Sequence, residues 1–139
     1  MRHQMLYDKK CVPEELILPV EQVLELPNFF TGETPNYTIH EVQDDLREWL
    51  QKEFPDRTKF RYQTLTKTVP VHKDIGRTEC INYIIDNGGQ NVQTIWYEED
   101  YVTPTHNVIL PERTWHLLQV DYYHTVTNIQ GRRFAITVQ

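Results

Sequence analysis

The change of hydrophobic period near residue 59 constrains this chain more than any other feature. From there onward, short β-branched and aromatic runs alternate with turn signals at regular intervals, the pattern of a sandwich or barrel. "KFRYQTL" sets Phe60 and Tyr62 two apart, and "VPVHKD" follows it. "ECINYIID" (79–86), "VQTIWYEE" (92–99), "HNVIL" (106–110), "WHLLQV" (115–120) and "RFAITV" (133–138) complete the set of expected strands. "NGG" (87–89) predicts a hairpin turn between "ECINYIID" and "VQTIWYEE", because Asn and Gly tolerate positive φ.

The first 58 residues read differently. Pro13, Pro19, Pro27 and Pro35 break the N-terminal stretch into pieces too short for a long helix, and "QVLEL" (22–26) fits a short strand. One helix is expected over 39–54, with Ile39, Val42, Leu46, Trp49, Leu50 and Phe54 on one face. Thr38 and Glu41 have capping-box spacing, and Pro55 stops the helix. Its acidic outer face is expected to be solvated. The coarse architecture is one domain, a β-sandwich braced by one or two helices.

Composition narrows the function. The chain has 139 residues, 39% hydrophobic, enough for one core. Its net charge of −6, with no basic stripe, disfavours nucleic-acid binding through phosphate contacts. No run approaches the roughly 20 apolar residues of a membrane span, and the polar opening lacks a signal-peptide core. Cys11 and Cys80 belong to no CxxC pair and read as reduced thiols, although a single disulfide between them is not decided by spacing. A soluble cytoplasmic protein is expected.

The chemistry centres on "VHKDIG" (71–76). In an extended strand, side chains two apart share a face, so His72 and Asp74 can aim at one point while Lys73 faces away. Alone, such a pair is either a metal site or nothing. His124 supplies a second imidazole. Two imidazoles and one carboxylate make a facial triad, the ligand set of non-heme Fe(II) oxygenases, which leaves the opposite face of the metal open. In "RFAITV", Arg133 shares a face with Ala135 and Thr137, while Phe134, Ile136 and Val138 share the other. If the first face looks inward, the buried guanidinium needs an anionic partner, such as a carboxylate ligand held in a bidentate pair.

His-x-Asp, about fifty residues, His, then Arg nine residues later resembles the 2-oxoglutarate and Fe(II)-dependent dioxygenase superfamily. "VPVHKDIGRTECINYII" is similar to that family's first metal strand. "WHLLQVDYYHTVTNIQGRRFAITV" is similar to its second metal region. The resemblance covers roughly residues 60–139, and the small size is similar to minimal members of phages and marine bacteria, near the prolyl-hydroxylase-like and aspartyl-hydroxylase-like branches. It implies a mainly β fold, a double-stranded β-helix (jelly roll) over 59–139, with 1–58 as helical support. It implies Fe(II) held by His72, Asp74 and His124, and 2-oxoglutarate as co-substrate with Arg133 on its distal carboxylate. Tyr62, Asn82 and Tyr83 are candidates for further contacts to that co-substrate, or for core and rim. Dioxygen and an unidentified small-molecule or peptidyl substrate would complete a hydroxylase. The competing reading is a non-catalytic jelly-roll module, phage-related, that has kept the fold for binding.

Rivals and neighbours are weighed in the same way. Arg132 faces opposite to Arg133, and Asp121 suits a turn better than a metal. His3, His40, His106 and His116 are not expected to be ligands. Thr94 and Trp96 share one face of their strand. Arg77 either meets an anionic substrate or sits on a loop, and Asn128 shapes the turn after His124.

Overall fold

A computed structural model describes residues 2–30 and 36–139, so Pro35 lies outside the described residues. The described chain is mainly β, with nine antiparallel strands in two facing sheets, a jelly roll. The larger sheet runs β1 (His3–Met5), β7 (Trp115–Gln119), β4 (Glu79–Asp86), β9 (Arg133–Val138), β3 (Phe60–Leu65) and β2 (Tyr37–Glu41). The smaller runs β6 (Pro104–Val108), β5 (Gln93–Tyr97) and β8 (His124–Thr127). Two helices, α1 (Val20–Val23) and α2 (Asp44–Glu53), cover the outer face of the larger sheet. Among the described residues, no helix is long and apolar enough to cross a membrane. Both cysteines are free thiols, Cys11 exposed and Cys80 buried.

The period of two decides which core each side chain joins. On β9, buried throughout, Phe134, Ile136 and Val138 pack with Leu46 and Leu50 of α2, while Ala135 packs between the sheets with Ile84 and Trp96. Fully burying Leu46 and Leu50 is worth about 2 kcal/mol each. Chain order does not follow sheet order: β4 is flanked by β7 and β9, and β3 by β9 and β2.

Four expectations are corrected. The helix is shorter than 39–54, because 37–41 forms β2 on the open edge of β3, with Thr38 opposite Thr64 and Glu41 opposite Arg61. Thr38 therefore caps nothing, and the Glu41 carboxylate pairs with Arg47 and Arg61. Val42, Leu46, Leu50 and Phe54 keep the expected apolar face. "QVLEL" is the end of α1 and a following turn, since Gln22, Val23 and Leu24 bond back to residues 19 and 20. "NGG" does not close a hairpin: both edges of β4 are already taken, and β5 crosses to the smaller sheet. Finally, "VPVHKD" forms no strand of either sheet: it is held to β8 by the His72–His124 bridge and by the bonds of Val69 to Thr125 and Val126. The first 58 residues also contribute more than support, since β1 and β2 form the two edges of the larger sheet.

Candidate metal centre

The bridge at His72 positions the site. The His72 amide donates to the His124 carbonyl (3.1 Å), and the His124 amide donates to the His72 carbonyl (2.9 Å). Two residues 52 apart in sequence are thereby set side by side at the mouth of the smaller sheet. The Asp74 amide bonds to the Val120 carbonyl (2.8 Å), which holds the next residue of the pattern against the end of β7.

The side chains converge. Asp74 Oδ1 lies 3.2 Å from His72 Nε2 and 3.4 Å from His124 Nε2, and the two rings are 4.5 Å apart. One donor atom from each of the three falls within 4.8 Å of the others, the spacing of a metal-ligand set. Lys73 points outward, to Glu99 and over the Tyr123 ring.

The far nitrogens fix the proton positions. His72 Nδ1 donates to the Pro70 carbonyl (2.8 Å) and His124 Nδ1 to the Tyr122 carbonyl (2.7 Å). A carbonyl can only accept, so each Nδ1 carries the proton and a neutral ring turns its Nε2 lone pair toward Asp74. Three lone-pair donors then face one point, an arrangement that repels itself unless a cation occupies it. Orientation of the ligand imidazole by a backbone carbonyl is the usual support of a metal-bound histidine. The donor set therefore fits a divalent cation. Without one, protons must fill the role: the hydrogen bond to Asp74 raises the His72 pKa against the opposing effect of burial. Burial alone would raise the pKa of Asp74. The hydrogen bonds from His124, His72 and Arg77 outweigh it and hold the carboxyl well below the usual carboxylate range.

Behind this cluster, between the sheets, lies a cavity of about 750 Å³ lined mainly by apolar groups. Arg133 reaches it from the first position of β9 and is only 4% exposed. Burial pushes the Arg133 pKa down to about 10, and among the described residues no charged or hydrogen-bonding neighbour offsets that loss of solvation. Thr94, also 4% exposed, lines the same cavity, and its Oγ1 has no partner among the described residues. A buried unpaired cation and a buried unpaired hydroxyl facing one space are the complement of an anion. Arg132 turns to the other face, toward Thr64 Oγ1 (3.3 Å).

Asn82 lines the cavity, its Oδ1 3.2 Å from Cys80 Sγ. Tyr62 and Tyr83 do not reach it. They have the parity of Phe134 and Ile136 and so face the helical layer. The Tyr62 hydroxyl donates to Gln43 (2.8 Å) and accepts from the Leu18 amide, while the Tyr83 hydroxyl accepts from the Val12 amide. Asp121 is exposed and outside the cluster. His3 lies in β1 and stacks on Trp96, His106 is exposed on β6, His40 is buried in β2 against the Leu26 carbonyl, and His116 is buried beside Thr114. Asn128 adopts positive φ in the turn after β8.

Sequence reasoning left the role of Arg77 open. Its guanidinium is clamped onto Asp74, with Nε donating to Oδ2 (2.8 Å) and Nη2 to the same oxygen. The spacing of three from Asp74 was the available signal, but only the fold of the intervening turn makes it a contact.

No family model and no curated protein matches the chain. Solved structures do. A 2OG-Fe(II) oxygenase family oxidoreductase from Burkholderia pseudomallei is similar with a TM-score of 0.58 at 8% identity, over 86% of this chain and 73% of that one. A prolyl hydroxylase from Trichoplax adhaerens, solved with a hypoxia inducible factor peptide fragment, gives 0.60 at 14% identity, over 86% and 74%. An Fe(II)-HppE structure gives 0.51 at 14% identity, over 84% and 57%. At such identities the likeness is one of fold: this chain has the jelly-roll architecture on which these oxygenases are built.

Proposed function

We propose that this protein is an Fe(II)- and 2-oxoglutarate-dependent dioxygenase that hydroxylates a small-molecule or peptidyl substrate. The observation that carries the reading is the pairing, across one cavity, of a three-donor cluster with a buried guanidinium that has no partner among the described residues. His72, Asp74 and His124 hold the metal, and Arg133 takes the distal carboxylate of 2-oxoglutarate, with the Thr94 hydroxyl as a second donor. When bound, iron with the keto acid and dioxygen supplies the oxidation: 2-oxoglutarate is split to succinate and carbon dioxide, and one oxygen atom enters a C–H bond of the substrate.

The residues of the chain supply the setting. Nδ1–H bonds to backbone carbonyls keep both imidazoles in the ligating tautomer. Asp74 remains ionised through the whole physiological range and offsets half of the charge of a divalent ion. Burial of Arg133 among the apolar walls at the inner end of the cavity strengthens its attraction for a carboxylate. Placement of the cation and the guanidinium in one cavity selects a ligand that chelates at one end and is anionic at the other.

The test is anaerobic addition of Fe(II) and 2-oxoglutarate to metal-free protein. A visible charge-transfer band is expected, absent in His72→Ala and weakened in Arg133→Ala. A folded wild-type protein that takes up iron but forms no band with 2-oxoglutarate would point to a metal site without this co-substrate. One that takes up no metal would point to a jelly-roll binding module.

A further inference from the structure

We propose that Arg77 is a positioning residue that restricts Asp74 to a single metal-binding oxygen, and so keeps the coordination positions opposite the three protein ligands open. This rests on the metal-site reading above. The two oxygens of Asp74 are used differently: Oδ2 receives both Nε and Nη2 of Arg77, while Oδ1 faces both His Nε2 atoms. The turn between the two residues is built to this end. Both of its ends are tied to Val120, whose carbonyl accepts from the Asp74 amide (2.8 Å) and whose amide donates to the Thr78 carbonyl (2.9 Å). Its tip holds Ile75, 99% exposed, and Gly76 in the left-handed region (φ 83°), so the tip itself packs nothing. What the turn delivers to the interior is the Arg77 guanidinium, directed back onto Asp74.

The arithmetic of an octahedral site shows why this matters. Of about six positions, three go to protein, two to a chelating keto acid and one to dioxygen. A carboxylate binding through both oxygens takes a fourth position and leaves no room for the complete set. Two donors in a rigid plane on Oδ2 make that second bond unfavourable, because Oδ2 would have to exchange two charge-assisted hydrogen bonds for it.

Co(II) is the probe, added to metal-free protein, with visible absorption and binding isotherms recorded for the wild type, Arg77→Met and Arg77→Lys. The wild type is expected to bind one Co(II). Arg77→Met should bind about 10- to 100-fold more weakly, the usual loss when an outer partner of a ligand is removed. At saturation its d–d band should differ in intensity and position, because the freed Oδ2 alters the coordination sphere. Arg77→Lys, with one point charge in place of the fork, should recover part of the affinity and retain part of the spectral change. An Arg77→Met spectrum superimposable on the wild type at saturation overturns the proposal, even if affinity falls. If Arg77→Met does not fold, the same spectral comparison is made on Arg77→Lys, and identity with wild type in both affinity and spectrum overturns it. Wild-type protein that binds no Co(II) instead removes the metal-site reading on which the proposal stands, a result distinct from either of these.

Discussion

Arg133 shows at the scale of a single residue what a site of this kind costs. Its pKa is pushed down to about 10 by burial, and none of the described residues pairs with it, so the folded, ligand-free protein holds the charged form at a penalty on the order of 3 kcal/mol. Arg133→Met, which keeps the stem and removes the charge, should raise the thermal midpoint of the ligand-free protein while abolishing 2-oxoglutarate binding. A midpoint that falls would reveal a partner for the guanidinium. The metal ligands behave in the opposite sense with pH. His72 has a raised pKa in the metal-free state, so its contribution to stability is present below the unfolded value and is lost as pH rises through the folded one. A metal ion must displace that proton. Apparent metal affinity should therefore weaken as pH falls below the raised His72 pKa, by up to about tenfold per pH unit for each proton displaced, as followed by isotherms at several pH values. The convergence of His72, Asp74 and His124 was legible from sequence because such a cluster draws on few residue types at fixed spacing. Tyr62 and Tyr83 were misplaced for want of the parity argument that placed Arg133: both stand in register with residues of the helical face.

At the scale of elements, β-branched and aromatic runs bounded by turn signals made six of the strands legible, β4 and β9 with the very bounds observed, although both are buried on two faces. Capping signals and turn signals were less reliable, since each describes a local preference that a neighbouring strand can override. Thr38 and Glu41 were taken by the open edge of β3, and "NGG" by the crossing between sheets. That turn nonetheless has a task. The Gly88 carbonyl accepts from the Gln130 and Gly131 amides (2.9 and 2.7 Å), so the turn after β4 braces the chain just before Arg133. Gly88 has φ 80°, and a Cβ there would lie 2.7 Å from the Arg133 amide nitrogen and 2.9 Å from the Arg132 carbonyl carbon. Backbone atoms cannot yield as a flexible side chain does. Gly88→Ala should cost at least about 2 kcal/mol and should weaken 2-oxoglutarate binding more than metal binding, since the displaced strand carries Arg133 and none of the three donors. Equal losses in both would mean that the damage is global.

For the whole molecule, the site is where the two sheets meet, and they are not joined there equally. β4, β9 and β3 form a continuous ladder through the centre of the larger sheet. The segment 69–76 is attached to the smaller sheet by the His72–His124 bridge, the Val69 amide to Val126 (3.3 Å) and the Thr125 hydroxyl to the Val69 carbonyl, and to the end of β7 by the Asp74 amide. The jelly-roll class was expected from the resemblance, but these pairings were not legible in the sequence, because pairing between distant strands depends on which edges remain open after earlier pairings. The topology has a thermodynamic consequence. Few backbone bonds hold 69–76, so this segment should open more readily than the central ladder. A cation held by the three donors would bridge 69–76 and β8, with two bonds to the first and one to the second. Saturation with metal at 100 times Kd adds about 2.7 kcal/mol to the folded state, which for a domain of this size raises the thermal midpoint by roughly 10 °C. Hydrogen exchange can locate that gain. Protection of the His72 and Asp74 amides should rise on adding metal, and His124 with them, while Tyr83 and Ile136, deep in the ladder, should move only as far as global stability requires. Uniform slowing across the chain would mean that the segment opens only when the whole fold does, and that the two sheets act as a single cooperative unit even without the ion between them.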